Sequence, residues 1–205
     1  MNPLRSLHHR LVVNRRVGRL ADLLMPLIPA GARVLDLGAG DGAIARAIRL
    51  RRPDIAVTAL EVKAREETAI PELLYDGHTV PFRDGMFDCV LLIDVVHHAW
   101  NPPRLLSEAR RVASQRVILK DHLARSAAAR VTLSFMDWIS NAKYGIAMPY
   151  TYWNRAEWDA LFDASGLEVE TWSGRLQLYP RPASYVFDAS LQFMASLSVN
   201  GRLLP

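Results

Sequence analysis

The stretch "VLDLGAGDGAIA" (34–45) sets three glycines, Gly38, Gly40 and Gly42, between an apolar run and a helical pattern. Glycines there let the backbone turn sharply from strand to helix and let a ligand approach it closely. The spacing satisfies G-x-G-x-x-A, and Glu61 follows about twenty residues on, where a ribose-binding acid belongs in a nucleotide fold. Asp36, just before the first glycine, changes the expected ligand. Its carboxylate would repel a doubly negative pyrophosphate and attract a cation.

A second group of polar residues lies downstream. Asp76 and Gly77 form a turn dipeptide, Asp94 ends the apolar run "FDCVLLID", and His97, His98 and His122 follow, with Asp121 beside the last. An imidazole suits proton removal near neutrality, so His98 and His122 are candidate general bases, with Asp121 a carboxylate that could orient His122. No H-x-x-x-H or thiolate cluster exists, and no metal centre is expected. Residues 122–155 exceed a minimal crossover. Within them Tyr144, Tyr150, Tyr152 and Trp153, with Met136 and Met148, could line an apolar pocket that also takes in His97, although the same residue types serve equally as core.

These residues need a scaffold, and the hydrophobic pattern supplies one. Short β-rich runs alternate with helical patterns, the mark of an α/β domain on a mostly parallel sheet with helices on both faces. Seven strands are expected: 33–37, 55–61, 72–76, 87–94, 116–120, 167–172 and a last near "SYVFD" (184–188). Helices are expected over "DGAIARAIRLRR", with Ile44, Ala47 and Ile48 inward, and over "PRLLSEARRVA", with Leu105, Leu106, Ala109 and Val112 inward. Another starts near Ser126 and should bury Val131, Phe135, Trp138 and Ile139. A fourth is capped by Asn154 with Glu157 in capping-box spacing, carries Trp158, Leu161 and Phe162, and stops at Gly166.

With 205 residues, half of them apolar, one domain over 1–205 is expected, residues 1–30 forming a helical cover and 122–155 an insertion over the site. Cys89 is the sole cysteine, which excludes an intrachain disulfide and suggests a reduced, cytoplasmic setting. The formal charge of +4 resides entirely in the first residues, where Arg5, Arg10, Arg15, Arg16 and Arg19 outweigh Asp22. A basic helix with a leucine stripe could contact an anionic membrane peripherally or form a solvated face over the core. No signal-peptide pattern or membrane span is read, nor the basic patch with interleaved aromatics of a nucleic-acid binder.

"VLDLGAGDG", Glu61 closing strand two, and "YDGHTVPFRDGMFDCVLLIDVVHHAWNPPRLLSEARRV" occur in an order that resembles the class I S-adenosyl-L-methionine (SAM)-dependent methyltransferases, type 11 branch, over about residues 30–125. The resemblance implies a Rossmann-like three-layer domain with SAM as cofactor. It implies that Asp36, Gly38, Gly40 and Gly42 surround the methionine part. Glu61 would grip the ribose hydroxyls, Asp76 with Gly77 would meet the adenine, and Asp94 would lie beside the sulfonium.

The expected activity is methyl transfer to a small-molecule or lipid-like acceptor. An NAD-linked oxidoreductase and a SAM-binding protein without catalysis remain as alternatives. Amino-methylating nucleic-acid enzymes of this superfamily carry Asn or Asp, two prolines and an aromatic at the end of strand four. Here "NPPR" (101–104) lies beyond Asp94 and ends in Arg104, so no nucleic-acid partner is expected. Oligomeric state is not readable from the chain.

Overall fold

A computed structural model of the chain describes residues 14–141, 151–181, 184–187 and 191–199; Tyr144, Tyr150, Met148 and residues 1–13 lie outside them. Seven strands form one sheet: β1 (Arg33–Leu37), β2 (Ala56–Glu61), β3 (Glu72–Leu74), β4 (Phe87–Ile93), β5 (Ala113–His122), β6 (Glu168–Ser173) and β7 (Gln192–Ser198). Their order is β3-β2-β1-β4-β5-β7-β6, with β3 to β5 parallel and β7 antiparallel to both neighbours. The order reverses between β1 and β4. Open α/β sheets bind ligands at such a switch point, outside the carboxyl ends of the strands.

Alternation along the central strands feeds two cores, because successive side chains point to opposite faces. Leu35, Leu37, Val90, Leu92, Val117 and Leu119 pack against α3 (Pro102–Val112) and α5 (Arg155–Ala164). Val34, Cys89, Leu91, Ile93 and Ile118 pack against α1 (Asn14–Leu24) and α2 (Ala43–Arg51). The result is the expected three-layer α/β arrangement. The Asn154 and Glu157 capping box opens α5, and Gly166 follows its end at φ +67°.

Two expectations are corrected. "SYVFD" is not the last strand: Ser184–Phe187 is a single helical turn, with Tyr185 67% exposed, and the strand is "QFMASLS". That segment lacks β-branched residues, and pairing between β5 and β6 overrides its weak propensity. The helix after Ser126, α4 (Ala127–Asn141), buries Ala129 and Leu133 and leaves Val131 and Phe135 exposed. Its sequence carries apolar residues on more than one face, and tertiary contact selects the narrower pair. The side chains of Met136, Trp138 and Ile139 lie outside the described residues.

The described part of the N-terminal cover turns one face inward, with Asn14, Arg15 and Asp22 exposed on the other. Leu20, Ala21 and Leu24 are fully buried, Arg19 donates to the Leu176 carbonyl at 3.1 Å, and Arg16 pairs with Asp94. No helix among the described residues is long and apolar enough to cross a membrane.

Candidate active site

A cavity of about 600 Å³ opens at the carboxyl edge of the sheet. Its floor is the turn from β1 to α2. The amides of Gly38 and Ala39 donate to the Leu60 carbonyl at 2.8 and 3.2 Å, which ties the turn to β2. Gly38 sits at φ +81°, and a Cβ there would meet Val95 Cγ2 at 2.6 Å, so close packing against the β4 exit excludes a side chain. Gly40 differs. At φ +62° its missing Cβ faces open space within 4 Å, and its amide donates to Glu61 Oε2 at 2.8 Å.

Acids crowd this end. Asp36 is buried, and burial, with Glu61 and then Asp41 nearby, pushes its carboxyl up to about 7. Asp76, on the opposite wall with Tyr75 and Gly77, accepts the amides of His78 and Thr79 at 2.8 Å each, which hold its pKa below the carboxylate range. Asp36 near the end of β1, Glu61 closing β2 and Asp76 just beyond β3 thus fall at one edge of the sheet, with Glu61 and Asp76 lining the cavity and Asp36 not among its lining residues.

Asp94 closes the other end at φ +58°, a left-handed conformation uncommon for a non-glycine residue. Its carboxylate pairs with Arg16 and contacts Lys120 Nζ at 2.5 Å. Burial opposes ionisation of Asp94, and the two cations overcome it and hold the pKa well below the usual range. His98 lines the cavity; His97 and His122 do not. Asp121, expected to orient His122, instead takes His97 Nδ1 at 2.6 Å and the His122 backbone amide at 2.7 Å. Strand geometry explains this, since neighbouring side chains on β5 point to opposite faces. Burial, with His97 next, lowers His98 to about 4 and His122 to about 3.

Tyr152 is buried, with its ring centroid 6.0 Å from that of His97 and 5.9 Å from that of His122. Trp153 packs edge-on to Trp158 at 4.8 Å. Neither is among the residues lining the cavity.

A family model described as a methyltransferase domain matches residues 7–171. That span contains the cavity walls and four-fifths of the chain. The chain belongs to this methyltransferase-domain family. Within it, the chain is similar to the malonyl-acyl-carrier-protein O-methyltransferase of Geobacter sulfurreducens, 32% identical over 111 residues, 49% of this chain and 42% of that protein. It is also similar to the demethylmenaquinone methyltransferase of Thermotoga maritima, 28% identical over 105 residues, 48% and 45% of the two chains. The matches span less than half the length of these curated relatives. A methyltransferase solved in complex with the Haloferax volcanii Trm112 methyltransferase activator aligns with a TM-score of 0.67 at 19% identity, covering 97% of this chain and 93% of that one, a likeness of fold.

Class I methyltransferase domains use SAM, and the cavity fits that ligand. Asp41, Glu61 and Asp76 line the cavity, and the Asp36 carboxyl, which does not line it, lies close enough to Glu61 and Asp41 that burial and then those two acids raise it to about 7, an acidic end that gains from a cation and loses from a phosphate. The open face of Gly40 leaves room for backbone approach.

Sequence reasoning missed Arg16 and Lys120 as partners of Asp94. The signal for Lys120 was present, since a lysine within the buried run "RVILKDH" requires a counter-charge. Arg16 carried none, because only the tertiary fold brings α1 over the end of β4.

Proposed function

We propose that this chain is a SAM-dependent methyltransferase acting on a small-molecule or lipid-like acceptor. The observation that carries the reading is the acidic end of the cavity, where Glu61 and Asp41 line it together with Gly40 and the buried Asp36 carboxyl lies close to both acids. An anionic dinucleotide would meet those acids with its pyrophosphate. A sulfonium and ammonium would neutralise them.

SAM, when bound, would supply a methyl group that an acceptor nucleophile attacks at carbon, in line with the breaking carbon–sulfur bond, S-adenosylhomocysteine being the leaving group. On this reading Asp36 and the glycine turn hold the methionine part, Glu61 the ribose, and Asp76 with Gly77 the adenine. The methyl then faces Asp94, Val95 and His98, which leaves the acceptor on that side. Most of the required work is orientation and exclusion of water. His98 is neutral at pH 7, so it can accept a hydrogen bond from an acceptor hydroxyl or amine; its lowered basicity makes it a weak general base. His122 lies behind Asp94, with Nε2 at 4.0 Å, and we assign it the lesser task of supporting that carboxylate.

The acceptor class is supported by the apolar wall of Ile93, Val95, Ala99, Trp100 and Leu105, and by the quinone and acyl-carrier substrates in the names of the two relatives.

Calorimetry and thermal shift with SAM, S-adenosylhomocysteine and NAD test the cofactor. Saturation with either SAM ligand at a hundredfold above Kd should stabilise the fold by about 2.7 kcal/mol, and NAD should not. Binding of NAD in preference to S-adenosylhomocysteine would overturn the reading. Label transfer from methyl-labelled SAM into fractionated quinone, fatty-acyl and aromatic metabolites then separates an enzyme from a cofactor-binding protein.

A further inference from the structure

Arg104, Glu108 and Arg111 recur at helical spacing on α3, and all three turn onto the connection between β3 and β4. Glu108 Oε2 accepts the Val80 amide at 2.8 Å. Arg111 donates to the carbonyls of Val80 and Phe82 at 2.9 and 2.8 Å and pairs with Glu108 and Asp84. Arg104 grips the segment next to these. Its Nε donates to the His78 carbonyl at 3.0 Å and its Nη2 to Thr79 Oγ1 at 3.3 Å.

The residues that Arg104 holds are the ones that hold Asp76. His78 and Thr79 both give their amides to Asp76 Oδ1, and Tyr75, Asp76, Gly77 and His78 form one wall of the cavity. β3 pairs with β2 over only three residues, and after the Tyr75 amide, which donates to the Glu61 carbonyl at 3.1 Å, no strand pairing fixes Asp76, Gly77 and His78. A wall left loose would have to be ordered by the ligand at a cost in affinity.

We infer that Arg104 is a positioning residue for the nucleoside end of the cavity, setting Asp76 through His78 and Thr79 and thereby setting cofactor affinity. This rests on the SAM reading of the cavity. Arg104 itself lies on the rim, so direct contact with the ligand is the competing role, and the two differ in how Arg104 couples to Asp76.

The test is calorimetric binding of S-adenosylhomocysteine to the full chain, to Arg104→Met, Arg104→Lys and Asp76→Ala, and to the Arg104→Met, Asp76→Ala double variant. Two lost hydrogen bonds predict about tenfold weaker binding for Arg104→Met, and a smaller loss for Arg104→Lys, which retains one donor. Once Asp76 is gone, adding Arg104→Met should change little. Methylthioadenosine, which keeps the nucleoside, should weaken by the same factor as S-adenosylhomocysteine. Unchanged affinity in Arg104→Met overturns the inference. So does an equal loss in both Asp76 backgrounds, which marks direct contact or general loosening. Failure of the unmodified chain to bind S-adenosylhomocysteine overturns the SAM reading itself, a result distinct from either.

Discussion

The Glu61 carboxylate bridges the end of β2 and the glycine turn: Oε2 accepts the Gly40 amide at 2.8 Å while Oε1 accepts the Val62 amide at 2.7 Å. One acid therefore orders the turn and offers its remaining lone pairs to the cavity. Glu61→Ala should remove both effects. If Glu61 holds the ribose as proposed, loss of two charge-assisted hydrogen bonds would cost on the order of 2 to 4 kcal/mol, or roughly thirty- to a thousandfold in affinity for S-adenosylhomocysteine. An unaltered isotherm for that variant would remove Glu61 from the binding site.

Gly38 and Gly40 should respond differently to alanine. At Gly38 the new methyl meets Val95 Cγ2 at 2.6 Å, so both the turn and the β4 exit must shift, and stability should fall by about 2 kcal/mol or more. At Gly40 the methyl enters open space, and only the φ +62° conformation resists it, at about 1 kcal/mol. Gly40→Ala should therefore fold nearly normally and lose ligand affinity. Denaturant unfolding and calorimetry on the pair check this, and equal losses of stability would contradict the difference in packing.

Asp36 predicts linked protonation. Its pKa of about 7 exceeds the unfolded value of 3.8, so between these limits the native state holds a proton that the unfolded state has released. Its contribution to stability therefore declines as pH rises from about 4 to 7 in the ligand-free protein. A cationic ligand should expel that proton. Affinity for SAM should rise from pH 6 to 8, and calorimetry in buffers of different ionisation enthalpy should detect proton release near pH 7. Release absent in the wild type, or unchanged in Asp36→Asn, would assign the linkage elsewhere.

That Asp36, Glu61 and Asp76 share one edge of the sheet was readable because each falls at or near a strand end, and parallel pairing carries strand ends to one edge. Strands β1, β2 and β4 fall within a residue of their expected limits for the same reason. The histidine end was less readable. His97 and His98 are adjacent and His122 ends β5, yet their surroundings diverge through the geometry of the Val96–His98 turn and the alternation of β5, neither of which leaves a trace in composition. Trp153 shows the limit most clearly. Its neighbours in sequence suggest a pocket, whereas its contact with Trp158 makes it part of the packing beneath.

The Lys120 and Asp94 pair yields the last prediction. Lys120 is 1% exposed, and burial lowers its pKa against the attraction of Asp94, so its charge depends on that partner. The dependence is unequal. Asp94 retains Arg16 if Lys120 is removed, whereas Lys120 loses the negative charge 2.5 Å away if Asp94 becomes Asn. Asp94→Asn should therefore destabilise by about 3 to 5 kcal/mol, and Lys120→Met by less. In Asp94→Asn the lysine pKa should fall further below the unfolded 10.5. The unfolded state then binds more protons across that window, and the variant should regain stability as pH rises through it. Adding Lys120→Met to Asp94→Asn should restore much of the loss, because no uncompensated buried cation remains. Urea unfolding of the four proteins at pH 7 and 9 measures the cycle. If the two single losses simply add, Lys120 does not depend on Asp94 and the end of β4 is held by Arg16 alone.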